Sequence, residues 1–153
     1  MKIVVLAIMA LLCFQAYGYE RLWAKGDVLL TELQNGHDEL KIVYFYDSTN
    51  TEEVYAKVRE NQAVLNEVLD YLKTISTNGD NPFPTKVFFS SIDATEPMNQ
   101  NVIYKSSVNV NALDNGPVLL ALRQGTGFLQ YGPKVTAALR DSVDKLREME
   151  APQ

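Results

Sequence analysis

Cysteine is nearly missing from this chain: Cys13 stands alone among 153 residues. A disulfide framework, a thiolate zinc site and a dithiol active site each need more than one. Histidine is as scarce, with His37 the single copy. It sits in the turn Asn35-Gly36-His37-Asp38 with no companion ligand close in sequence, so it reads as a solvated turn residue. A Ser-His-Asp triad would have to be built on that turn, and there is no Gly-x-Ser-x-Gly elbow. Eight Gly and six Pro are too few for a collagen-like or low-complexity chain. Basic charge is in deficit, with 14 Lys and Arg against 19 Asp and Glu. Nucleic acid is therefore not an expected partner, because phosphate neutralisation needs a basic face. A phosphate-cradling glycine loop, an EF-hand spacing and an Asn-x-Ser/Thr sequon are missing as well. The expectation is no cofactor and no metal.

One apolar run is present, and it stands at the front. Met1-Lys2 gives a short basic start, Ile3 to Phe14 is apolar, and Gln15-Ala16-Tyr17-Gly18 ends in small residues at −3 and −1. That pattern reads as a secretory leader over residues 1–18, cut after Gly18. The run is shorter than the roughly 20 residues that span a bilayer. Removing the leader takes Cys13 with it, and losing Lys2 moves the net charge from −5 to −6. Residues 19–153 then form a single domain with no cysteine and no membrane contact. The secretory pathway is the expected location, with the extracellular space favoured over the ER lumen because the terminus Glu150-Ala151-Pro152-Gln153 is not a retrieval signal.

The mature chain alternates strand and helix patterns. Glu20–Ala24 reads as a short strand, and Asp27 as the N-cap of a helix to Gln34 that Asn35-Gly36 ends. Leu40–Tyr46, LKIVYFY, is nearly all apolar, which predicts a strand covered on both faces. Thr49-Asn50-Thr51-Glu52 has capping-box spacing, repeated by Asn50 with Glu53. A long helix follows from Thr51 to about Ser76 and stops at Asn78-Gly79-Asp80-Asn81-Pro82. Lys86–Asp93 is a further strand. Thr95-Glu96-Pro97 opens a helix to about Ser107. Val118–Gln124 and Phe128–Tyr131 form a hairpin around Gly125-Thr126-Gly127, and Gly132-Pro133 starts a last helix that carries Val135, Leu139, Val143 and Leu146.

This order of elements resembles the thioredoxin fold across residues 20–149. LKIVYFYD matches the strand that leads to that family's active site. Asp114-Asn115-Gly116-Pro117-Val118 matches its small residue, cis-proline and strand, and RQGTGFLQYGPKV its closing hairpin and last helix. The resemblance implies an α/β fold with a central mixed sheet of four to five strands flanked by helices. It also implies a cis bond at Gly116–Pro117. Continued without a gap, the match puts Asn50-Thr51-Glu52-Glu53 where thioredoxins carry Cys-x-x-Cys. Asn and Glu cannot attack or resolve a disulfide, so thiol–disulfide chemistry is not expected.

What remains is contact. The family's non-catalytic members, such as the b-type domains of protein disulfide isomerases, are similar and act as binding or spacing modules. The expectation is a redox-inactive, non-enzymatic protein that binds a protein partner or itself, using Tyr46, Asn50, Glu53, Gly116 and Pro117 or an unpaired sheet edge. A structural subunit of an extracellular or luminal assembly, self-assembling in one version, competes with a chaperone-like binder of clients. Tyr55, Tyr71 and Tyr104, on helices, are candidates for a partly exposed contact surface. Asp93 and Glu96 are the carboxylates a calcium rim would use, although specific calcium binding is not expected.

Overall fold

The computed structural model describes residues 18–48, 54–132 and 134–150. The expected leader, apart from Gly18, and the segment holding Asn50 and Glu53 lie outside them. Among these residues five strands form one sheet: β1 (Glu20–Arg21), β2 (Leu40–Tyr46), β3 (Val87–Asp93), β4 (Val118–Arg123) and β5 (Thr126–Gln130). Their spatial order is β1-β3-β2-β4-β5. β1, β3 and β2 run parallel, and β4 pairs antiparallel with both β2 and β5. Among the described residues, four α-helices cover the sheet: α1 (Gly26–Gln34), α2 (Val54–Ile75), α3 (Gln100–Lys105) and α4 (Val135–Arg147). This is the mixed, helix-flanked sheet that the resemblance implies.

β2 is central and buried along its length except at Tyr46. Its alternate residues serve two cores, because successive side chains leave a strand on opposite faces. Leu40, Ile42 and Tyr44 pack with Val68, Leu72, Leu139 and Val143 under α2 and α4. Val43 and Phe45 pack with Leu29, Leu33, Val102 and Ile103 under α1 and α3. Two covered faces explain a nearly unbroken apolar strand. Lys41 is the exception, 4% exposed, and its ammonium donates to the Glu32 carbonyl at 2.6 Å and to Asn35 Oδ1. A buried cation at the end of α1 meets the negative pole of that helix. Burial pushes its pKa down.

Several local expectations are corrected by tertiary contacts. α1 begins one residue earlier than Asp27, with Lys25 as N-cap. Gly26 has φ +58°, and its N–H donates to the Oδ1 of buried Asn99 at 2.9 Å. A Cβ there would lie 2.8 Å from the Met98 carbonyl oxygen, so only glycine fits the approach. The helix expected over Thr95–Ser107 is a 3₁₀ turn at Pro97–Asn99 followed by the short α3. Ser107, at φ +59°, ends it. A second 3₁₀ segment, Val110–Asn115, leads to Gly116 and was not expected. The hairpin turns at Gln124-Gly125, both at positive φ, as a type I′ turn requires. β5 therefore starts at Thr126, ahead of the expected Phe128.

At the other end of the chain, Gly18 is seated beside α2. Its carbonyl accepts from the Thr77 N–H at 3.3 Å, and a Cβ would press on the Ser76 hydroxyl at 2.5 Å. Among the described residues no helix is long and apolar enough to cross a membrane.

Candidate functional site

The candidate site gathers at the end of the sheet where β2 and β3 finish and β4 begins. Tyr46 closes β2, opposite Asp93 in the parallel ladder. It is half-buried, with its ring 6.0 Å from that of Tyr44. Burial, then the charges of Asp93 and Glu96, raise its phenol pKa above the ordinary value. Tyr44 is deeper, and burial raises its phenol further while the hydroxyl donates to the Asn61 carbonyl at 2.9 Å. An open cavity of about 320 Å³ lies between these tyrosines and α2, walled by Asn61, Gln62 and Leu65.

Asp93 and Glu96 are both engaged by the protein. Asp93 Oδ1 accepts from the Thr95 N–H at 3.0 Å and the Thr95 hydroxyl at 2.7 Å. Burial works to raise its pKa, but hydrogen bonds from Ser48 and Thr95 outweigh it and hold the carboxyl below its usual range. Glu96 pairs with Lys25 at 3.1 Å. These carboxylates fasten loops together. Among the described residues no group of three His, Cys, Asp or Glu could hold a metal ion. His37 is exposed, and its N–H donates to Asn35 Oδ1 at 3.1 Å.

Gly116 and Pro117 enter the same end from the other side. Gly116 has φ +140° and ψ −177°, a conformation that favours glycine, and Pro117 is buried. The bond between them is trans, since no described peptide bond is cis. This corrects the expectation carried by the resemblance. The 3₁₀ segment and the extended ψ of Gly116 already deliver the chain into β4, and a trans X–Pro bond is lower in energy by about 0.5–1 kcal/mol. The structure thus brings Tyr46, Asp93, Gly116 and Pro117 to one end of the sheet, while Asn50 and Glu53 lie outside the described residues.

Of the helix tyrosines, Tyr104 is a free surface, at 79% exposure. Tyr71 is buried against the inner face of α2, with the Arg140 guanidinium 4.8 Å from its ring. It falls beside Leu72 and Ile75 on the apolar stripe, which the helical period indicates. The side chain of Tyr55 is not among those described.

A feature outside the predicted residues is a second open cavity, of about 540 Å³, on the α1/α3 face of the hairpin. Its floor is Leu120, Leu122 and Leu129, and Leu30 and Leu33 form one wall. The apolar run VLLALR predicts a strand covered on both faces, but how far α1 reaches over it depends on tertiary packing.

Thioredoxins recur among solved structures of similar shape. Thioredoxin O2 from Arabidopsis thaliana, in its oxidized state, is 16% identical over 86% of this chain and 96% of its own, with a TM-score of 0.55. A chain in the complex of ferredoxin:thioredoxin reductase with thioredoxin f2 is 11% identical over 86% of this chain and 98% of its own, at 0.57. Thioredoxin f from spinach chloroplast, in its short form, is 12% identical over 88% and 99%, at 0.52. No protein-family model and no curated protein matches the chain. The likeness is one of fold, and the chain has a thioredoxin-like fold.

Proposed function

We propose that this chain is a redox-inactive, thioredoxin-like secreted protein that works by protein–protein contact, as a self-associating structural subunit of an extracellular or luminal assembly. One observation carries the reading: the end of the sheet where this fold does its chemistry is furnished with Tyr46, Asp93, Gly116 and Pro117, and no cysteine follows Cys13 in the sequence. Without a thiolate there is no attack on a disulfide, and without a second thiol no resolution of a mixed one. What the frame still offers is surface: a half-buried tyrosine, an open sheet edge and exposed large side chains such as Trp23 and Tyr104.

The cavity with a leucine floor of Leu120, Leu122 and Leu129 and a polar rim of Gln34, Lys105 and Ser106 favours a second reading, a chaperone-like module that holds apolar segments of secreted clients. Sedimentation equilibrium of the purified protein over a range of concentrations separates the two. Mass that rises with concentration supports the structural subunit. A single-chain mass throughout overturns it. Suppression of aggregation of a reduced, unfolding secreted protein would then favour the client-binding module.

A further inference from the structure

We propose that two copies of this chain join β5 to β5 in antiparallel register about a twofold axis at Phe128, extending the five-stranded sheet to ten strands. The inference rests on the reading that the protein works by contact with itself, and it names the surface. The sheet has two edges. β1 offers only Glu20 and Arg21, a short and charged edge of the kind that resists pairing. β5 offers Thr126-Gly127-Phe128-Leu129-Gln130, with no charge and no proline. In a chain of net charge −5, a neutral strand is where two copies approach without opposing like charges.

The register follows from the hairpin. Arg123 and Thr126 flank a two-residue loop and pair across it. In an antiparallel ladder, hydrogen-bonded and non-hydrogen-bonded pairs alternate from that closing pair. Thr126, Phe128 and Gln130 therefore turn their N–H and C=O groups toward β4, and Gly127 and Leu129 turn theirs to the free edge. Among the described residues, no backbone hydrogen bond outside the helices and strands involves either residue. A twofold axis at Phe128 sets Gly127 of each copy against Leu129 of the other. All four outward groups of one copy then meet their complements, through four hydrogen bonds shared by the two chains.

The side chains agree with that register. On the α1/α3 face, each Leu129 stands opposite a glycine, which leaves it room. On the α4 face, the two Phe128 rings meet in the close, non-hydrogen-bonded position, where aromatic pairs stabilise a sheet. Lys145 lies 5.6 Å over the Phe128 ring, and Asp141 and Glu148, exposed like it, flank it about one turn away on either side. Two α4 helices brought side by side in opposite directions set each lysine near a carboxylate of the other copy.

Two measurements on the full chain test this. In a Cys13→Ser background, Phe128→Cys places two thiols opposite one another with Cα atoms about 4.5 Å apart, within disulfide reach. Mild oxidation is expected to convert most of that variant to a covalent dimer. Thr126→Cys, whose twofold mate lies four residues away along the strand, stays single. Equal cross-linking of the two variants overturns the register. Leu129→Pro removes an outward N–H and spares the ladder with β4. It is expected to sediment as one chain where the wild type sediments as two. If circular dichroism shows that variant unfolded, Leu129→Lys takes its place. A folded variant that associates as the wild type does overturns β5 pairing alone and leaves self-assembly standing on another surface. A wild type that stays at one chain overturns both.

Discussion

Asp38→Ala should be among the most damaging single changes to the folded state, although Asp38 sits in a turn and touches no part of the candidate site. Arg123, 3% exposed at the end of β4, donates from Nε to Asp38 Oδ1 at 2.6 Å and from Nη2 to Oδ2 at 3.2 Å. Its Nη1 donates to the carbonyls of Leu146 and Met149, at 2.6 and 3.2 Å, and so closes the end of α4. Removing one partner of a buried pair typically costs about 3–5 kcal/mol, because the other charge is left buried without compensation. Asp38 is 20% exposed and the guanidinium keeps its two carbonyls, so the lower end, about 3 kcal/mol, is the expected loss. For a chain of this size that lowers Tm by roughly 6–12 °C.

The pH dependence gives a second check on the same pair. Hydrogen bonds from Arg123, then Gln124, hold the Asp38 carboxyl below its ordinary value. A carboxylate with a depressed folded pKa adds stability that is present above the unfolded value, near 3.9, and is lost as pH falls through the folded one. The gap between wild type and Asp38→Ala should therefore be full at pH 7 and narrow below about pH 4. Urea unfolding at a series of pH values reads both quantities. A gap under about 0.5 kcal/mol at pH 7, the size of an ordinary surface change, would refute the reasoning, as would a gap unchanged at pH 2.

Three further changes follow from the packing. Gly26→Ala forces a side chain into the left-handed region against the Met98 carbonyl, and a loss of at least about 1–2 kcal/mol should appear as a lower urea midpoint with an unchanged slope. Asn99→Ala leaves the Gly26 N–H and the Asp93 carbonyl without their partner, and a loss of about 2–3 kcal/mol is expected in the same assay. Burial pushes the Tyr71 phenol up to about 12. Its contribution to stability is complete below the unfolded value near 10 and fades as pH rises toward the folded one. Absorbance titration at high pH should show a late-ionising phenol that Tyr71→Phe removes, and an unchanged titration curve would count against that burial.

The elements that came through from the sequence are those whose signal is local and repeated. LKIVYFY announced a strand with two covered faces, and its buried neighbours on both sides bear that out. α2 and α4 showed their apolar stripes at helical spacing. What escaped was decided by residues far apart in the chain. The start of α1 depends on Gly26 meeting Asn99 and Met98, more than seventy positions on. The hairpin turn shifted toward Gln124, whose side-chain amide donates to Asp38 Oδ1 at 2.9 Å across 86 positions. Nothing in the spacing of either segment announces such a partner. The same holds at that end of the sheet, where the placement of Tyr46, Gly116 and Pro117 followed from the order of elements but the hold of Thr95 on Asp93 did not.

The claim that contact has taken the place of chemistry on this frame is tested most directly by the initial rate of dithiothreitol-driven reduction of insulin disulfides. With no cysteine after Cys13, the rate should equal that of dithiothreitol alone at every protein concentration. A rate that climbs in proportion to added protein would contradict the account.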